Sequence, residues 1–180
     1  MDLREVTEFF KDFAGYIITA LVIILIFTFV VSLQPIAGNS MSPTLEEGQV
    51  VTVFKLFKHY ERNDVVVLKL DSKYYVKRIV GLPGERIDYL NGILKIDNVA
   101  YKETFLDDSV ITSNFLFEDI CPTWKCPNGV IPDNMYLVLG DNRPDSLDSR
   151  DSSFGLIEKK NIKGKVFFKI WPVNNIGLVQ

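Results

Sequence analysis

From Phe13 to Leu33 the chain reads FAGYIITALVIILIFTFVVSL, with polar side-chain atoms only on Tyr16, Thr19, Thr28 and Ser32. Asp12 is the last charge before this run and Glu46 the first after it. About 20 residues at ~1.5 Å each cross the ~30 Å hydrocarbon core of a bilayer, where a helix satisfies its own backbone. The pattern predicts a tail over 1–12 and a transmembrane anchor over 13–34, ended by Gln34 and Pro35. The run exceeds the ~7–15 apolar residues of a cleaved leader. The nearest small-x-small triplet, Pro35-Ile36-Ala37, begins with proline. An uncleaved anchor is therefore expected.

Beyond the anchor the period changes. Val50–Phe57, Asp64–Leu70, Lys73–Val80, Met135–Leu139 and Lys165–Trp171 are short runs rich in β-branched and aromatic residues, which predicts strands. Ile87–Leu90 and Ile93–Ile96 flank Asn91-Gly92, a pair suited to the positive φ angles of a type I′ hairpin turn. Gly81-Leu82-Pro83-Gly84 and Gly140 mark tight corners. No long helical period appears outside the anchor. The prediction is a mainly β domain over 35–180 behind one N-terminal transmembrane helix, with 102–134 as an irregular insert.

Composition narrows the chemistry. Apolar residues make up 47% of the 180 and charged residues 24%, enough for a core. Net charge is −3 and no basic block occurs, so no nucleic-acid partner is implied. One histidine, His59, and two cysteines, Cys121 and Cys126, fit no familiar zinc spacing. His59 reads as an ordinary strand-end residue. Arg4 and Lys11 precede the anchor and no Lys or Arg occurs between Leu33 and Lys55. That bias places the N-terminus in the cytoplasm and the domain outside. Outside the cytosol Cys121 and Cys126 can close a short disulfide loop; two free thiols are the alternative.

Three segments carry candidate chemistry. Gly38-Asn39-Ser40-Met41-Ser42-Pro43-Thr44-Leu45 follows the anchor and either displays a serine or serves as a polar linker. Gly38 lets a backbone approach closely. Lys77 sits inside an apolar strand: alternation puts Tyr75, Lys77 and Ile79 on one face and Val76, Arg78 and Val80 on the other. A core-facing lysine is desolvated, which favours its neutral form, whereas arginine keeps its proton. The other reading is a lysine that reaches back to water. Gly140-Asp141-Asn142-Arg143-Pro144-Asp145-Ser146-Leu147-Asp148-Ser149-Arg150 follows a buried strand. It lacks the regular spacing of a calcium loop, which leaves a solvated loop or a set of groups holding a neighbouring base. A serine served by a lysine base accounts for the scarcity of histidine. The Ser40 backbone N–H is a natural first oxyanion donor.

These three blocks, in this order behind an anchor, closely resemble the bacterial type I signal peptidases. Ser40-Met41-Ser42-Pro43-Thr44-Leu45 resembles the nucleophile box S-M-x-P-T-L. Lys77-Arg78-Ile79-Val80-Gly81-Leu82-Pro83-Gly84-Glu85 resembles the lysine box, and Gly140-Asp141-Asn142 through Ser146, Asp148, Ser149 and Arg150 resembles G-D-N-x-x-x-S-x-D-S-R. Arg62-Asn63-Asp64 is similar to an R-G-D segment, with asparagine in place of glycine.

The resemblance implies a fold of two antiparallel sheets and a membrane-bound serine endopeptidase that removes signal peptides. Ser40 would be the nucleophile and Lys77 the general base. Ser146 would orient Lys77, Asp148 and Arg150 would form a supporting ion pair, and Asp141 would lie nearby. No cofactor or metal is implied. The partners implied are exported preproteins with small residues at P1 and P3, the lipid bilayer, and proximity to the secretion translocon. The location implied is the bacterial cytoplasmic membrane, crossed once. Gly38 stands where some members carry a serine that assists the oxyanion hole, so the second donor is unassigned. Phe54, Phe57 and Trp171 are candidates either for the bilayer interface or for the core. Two rivals remain: a self-cleaving Ser/Lys repressor, which would need a DNA-binding domain, and an inert membrane-anchored β domain that binds a partner.

Overall fold

The computed structural model describes residues 3–56, 59–107 and 109–179. Helix α1, Leu3–Leu25, continues through one π-helical turn, Ile26–Val30. Its apolar part, Phe13–Val30, has mean hydropathy 2.6 and buries none of its residues in the protein. Its 18 residues span about 27 Å. The hydroxyls of Thr19 and Thr28 donate to the carbonyls of Gly15 and Ile24, at 2.8 and 2.7 Å, so neither is left unpaired on an apolar surface. Lys55 Nζ donates to the Thr28 carbonyl at 3.0 Å, near the C-terminal end of the helical run.

The helix stops earlier than the apolar run implied. Val31–Pro35 is strand β1, not the last turn of the anchor. All five residues pair antiparallel with β2, Val50–Phe54, from Val31 opposite Phe54 to Pro35 opposite Val50. A short apolar run has no period that separates helix from strand, and here a neighbouring ladder decides. Phe57 and Lys58, read as the end of β2, lie outside the described residues.

Strands β3 (Val65–Leu70), β4 (Lys73–Gly81), β5 (Ile87–Leu90), β6 (Ile93–Ile96) and β7 (Val99–Tyr101) follow, and then the short helix α2 (Phe117–Ile120). Strands β8 (Met135–Leu139), β9 (Ile157–Glu158), β10 (Ile162–Trp171) and β11 (Gly177–Leu178) complete the chain. The large sheet runs β1-β2-β10-β3-β4-β8-β9, with β11 added on β10, and β5-β6-β7 form the small one. Every pairing is antiparallel.

Asn91 and Gly92 take φ of 53° and 77°, as their hairpin requires. Asp97 and Asn98 turn β6 into β7 in the same way, at 50° and 67°; that hairpin was not read from the sequence. Asn63 has a φ of 71°, in the left-handed region. Asparagine tolerates that region better than most residues, which accounts for its standing where the R-G-D segment has glycine. Its side chain also donates to the Tyr101 hydroxyl at 2.8 Å.

Both faces of β3 are covered. Val65 and Val67 pack with Ile36, Met41, Leu45, Val51, Val53 and Val166, while Val66 and Leu68 pack with Ile79, Tyr136, Val138 and Ile157. A strand buried on both sides reads as a continuous apolar run, as Val-Val-Val-Leu does. The stretch 102–134 is irregular but is no appendage. Phe115, Phe117, Ile120 and the two cysteines share a core with Ile87, Tyr89, Leu94 and Leu137. Cys121 and Cys126 are joined by a disulfide.

Candidate active site

Strand β4 carries two cations in sequence, and the structure buries both: Lys77 is 2% exposed and Arg78 0%. A buried charge needs a partner, and the two residues differ in what they find. The Arg78 guanidinium donates to both Asp141 oxygens, at 2.9 and 2.6 Å, and to the Asn63 carbonyl at 2.8 Å. It also stacks 4.0 Å from the Phe105 ring centre. Lys77 Nζ has one hydrogen-bond partner among the described residues, the Ser40 hydroxyl at 2.6 Å. An ammonium offers three donors, so this surrounding suits the neutral amine.

Lys77 has its pKa pulled from 10.5 down to about 8. Burial is the main cause. The negative charges of Asp148 and Asp141 pull the other way, and Arg150 adds to the lowering. Alternation along β4 leaves open which cation is uncomfortable; the side-chain partners decide it.

Ser40 lies in the loop between β1 and β2 and is partly exposed. Neighbours on both sides in the chain hold it. Met41 and Leu45 are buried in the core, the Leu45 N–H donates to the Met41 carbonyl at 2.9 Å, and the Ser42–Pro43 peptide is cis. Asn142 donates from its backbone to the Ser40 carbonyl at 3.1 Å and from its side chain to the Asn39 carbonyl at 3.0 Å. The Thr44 hydroxyl donates to Asp141 at 2.5 Å. The Ser40 backbone N–H donates to no group among the described residues. Gly38 differs from its expected role: a Cβ there would meet nothing within 4 Å, and it is its φ of 79° that favours glycine. Close approach belongs to Gly140, where a Cβ would collide with Ser146 Oγ and the Ser40 carbonyl oxygen.

The third segment folds against this pair. Arg150 donates to both Asp148 oxygens, each at 2.8 Å, so the ion pair foreseen from sequence forms. Asp148 also accepts the Gly140 N–H at 3.0 Å. Burial works to raise the Asp148 pKa, but Arg150 and the Gly140 N–H outweigh it and hold it below the usual carboxylate range. Ser146 differs from the expectation. Its hydroxyl is buried and near enough to Asp148 to help lower that acid's pKa, but it makes no hydrogen bond of normal geometry among the described residues and none to the Lys77 amine. Asp141, foreseen only as a neighbour, is fully buried against Arg78. Reading the sequence assigned no partner to Arg78, Thr44, Asn142 or Arg143. A signal for Arg78 was present: arginine inside an apolar strand requires a carboxylate, and the acid-rich loop is the obvious source.

The family described as "Signal peptidase, peptidase S26" matches residues 8–171. Signal peptidase IB of Staphylococcus aureus strain COL is 34% identical over 180 residues, covering 94% of this chain and 91% of its own. This chain belongs to the signal peptidase family. Signal peptidase I of Bacillus caldolyticus is 39% identical over 155 residues, covering 80% of this chain and 81% of its own. Among solved structures, a signal peptidase I from Enterococcus faecalis V583 superposes with a TM-score of 0.52 at 31% identity. It covers 59% of this chain and 96% of that one. The mainly β fold with two antiparallel sheets is thus the signal peptidase fold.

Beside Ser40 lies a small cavity, about 90 Å³, lined by residues 34–38, Met41 and Tyr74–Val76 as well as Ser40 itself. His59 is exposed. Among the described residues no group of three His, Cys, Asp or Glu side chains is placed to hold a metal ion. Of the three aromatic candidates for the bilayer interface, Phe54 packs edge-on against Phe167, 5.0 Å between ring centres. Trp171 is exposed, as are Val173, Ile176 and Leu178.

Proposed function

We propose that this protein is a membrane-anchored serine endopeptidase that removes signal peptides from exported preproteins, with Ser40 as nucleophile and Lys77 as general base. The observation that carries the reading is the buried amine 2.6 Å from the Ser40 hydroxyl, without a carboxylate bonded to it. The neutral amine takes the hydroxyl proton as Oγ attacks the scissile carbonyl carbon. The Ser40 N–H donates to the oxyanion. The lysine ammonium then protonates the leaving amine, and the free amine deprotonates the water that hydrolyses the acyl-enzyme. We assign the buried Ser146 hydroxyl to holding the Lys77 ammonium while the proton resides there. Asp141, Asp148 and Arg150 position the loop behind the base.

The substrate side follows from shape and place. A cavity of about 90 Å³ beside Ser40 suits small residues at P1 and P3. Ser40 lies ten residues after the helical run ends at Val30, near the level at which a preprotein leaves the bilayer and the translocon. Arg4 and Lys11 ahead of the span orient the N-terminus into the cytoplasm, and the Cys121–Cys126 disulfide suits an oxidising outer side.

The test is cleavage of a preprotein by the full chain in detergent. Ser40→Ala and Lys77→Ala each abolish processing while the melting curve keeps its cooperative shape; retained cleavage by either would falsify the dyad. In the parent protein the rate rises with pH through about 8, where Lys77 loses its proton.

A further inference from the structure

The loop from Gly140 to Arg150 supplies the charges that face Lys77: Asp148, Asp141 and Arg150. What holds that loop in place comes from another part of the chain. Arg143 lies within the loop and is 2% exposed. Its Nε donates inward to the Gly140 carbonyl at 2.9 Å. Its other nitrogens reach Glu103, at 2.5 and 3.0 Å, and the Thr112 hydroxyl at 3.1 Å. Glu103 is itself 9% exposed. The Phe105 ring centre lies within reach of both buried guanidinium groups, 4.0 Å from Arg78 and 6.0 Å from Arg143. Arg150, which carries the ion pair with Asp148, donates to the Arg143 carbonyl at 2.8 Å and to Ser113 at 3.4 Å. Glu103, Phe105, Thr112 and Ser113 all belong to the irregular stretch after β7.

We propose that Glu103 and Phe105 are positioning residues of the peptidase: they clamp the Gly140–Arg150 loop through Arg143 and Arg78, and so keep Lys77 dry and its amine available. A buried Arg–carboxylate pair of fork geometry fixes direction as well as distance, and an aromatic face over a guanidinium closes the remaining side. Loosening either contact lets the loop move out and water reach Lys77. Burial is the main cause of its low proton affinity, so hydration drives it back toward that of an ordinary lysine. The inference rests on the reading of Lys77 as the base, but it concerns a different part of the molecule.

The variants are Glu103→Gln, Phe105→Leu and Phe105→Tyr, each in the full chain in detergent. Two pH dependences are measured: preprotein cleavage, and acylation of Lys77 by an amine-reactive anhydride in a Ser40→Ala background, read by mass spectrometry. Glu103→Gln and Phe105→Leu shift both midpoints to higher pH by about one unit, which is about a tenfold loss of rate at pH 7 with recovery at pH 9–10. Phe105→Tyr keeps the ring and leaves both midpoints at the parent value. Removing the negative charge of Glu103 by itself favours a lower Lys77 pKa. Phe105→Leu removes no charge, so an alkaline shift shared by the two variants isolates the positioning effect. Unmoved midpoints in both overturn the proposal, with or without a lower melting temperature. If Glu103→Gln does not fold, Phe105→Leu at its half-buried site carries the test; failure of both to fold would assign these residues to the core and also overturn it. If Lys77→Ala still cleaves, it is the dyad that fails, and the acylation midpoint continues to judge the clamp.

Discussion

The large sheet and the stretch from 102 to 134 both bury apolar side chains next to the candidate site, but they are held differently. In the large sheet, backbone ladders set the register, and β-branched residues fill both faces. In the stretch, side chains do most of the tying. Asp88 accepts the Phe117 N–H at 2.9 Å, Arg86 bridges Asp88 and Glu118, Glu103 pairs with Arg143, and a disulfide closes residues 121–126. The ladder repeats every two residues and leaves a pattern in the sequence. Side-chain ties join residues far apart and leave none. The site draws on both: Lys77 rides on the ladder, and the loop behind it is tied partly from the stretch.

Asp141→Asn breaks the tie between β4 and the loop at its most buried point. It leaves the Arg78 charge without a carboxylate, and unfolding in denaturant should show a loss of about 3–5 kcal/mol. Lys77→Met should go the other way in stability while removing activity. The sign follows from linkage: the folded pKa, about 8, lies below the ordinary 10.5, so the unfolded chain binds the proton more strongly. Below about pH 8 this costs the parent about 3 kcal/mol, and the cost disappears as pH rises toward 10.5. Stability of the parent should therefore increase between those pH values, and that of Lys77→Met should not; parallel curves would contradict a buried neutral amine. Replacing both cysteines by serine tests the stretch alone. The six-residue ring predicts about 2 kcal/mol lost, with preprotein cleavage retained. Asn91→Ala in the small sheet is the mildest change, about 1 kcal/mol, because alanine resists the left-handed φ of 53°. Thermal unfolding followed by circular dichroism reads both.

Much of this architecture was legible in the residue order, and for stated reasons. The long uncharged run forms a helix apolar and long enough to cross a bilayer, and the pattern is plain because charge and lone backbone groups are excluded from lipid. Five of the strands and the Asn91-Gly92 hairpin follow from runs of β-branched and aromatic residues and from turn chemistry. The Asp148–Arg150 pair was foreseen and forms. The end of the apolar helix was not legible, because Val31–Leu33 continues the apolar run with no period that separates helix from strand and becomes a strand only where β2 lies beside it. The hairpin at Asp97-Asn98 was missed, and so was the part 102–134 plays in the core.

The sequence by itself determined an apolar span, a β-rich domain behind it, and the serine, lysine and acid-rich segments in their order. These properties belong to single residues and near neighbours, where hydrophobicity, period and turn preference act. Tertiary structure alone decided which of the adjacent cations on β4 is the unpaired one. Lys77 and Arg78 have the same kind of neighbours in the chain. Only the fold gives one a carboxylate 63 residues away and the other a hydroxyl 37 residues away, and the proton affinity of a buried amine depends on that difference.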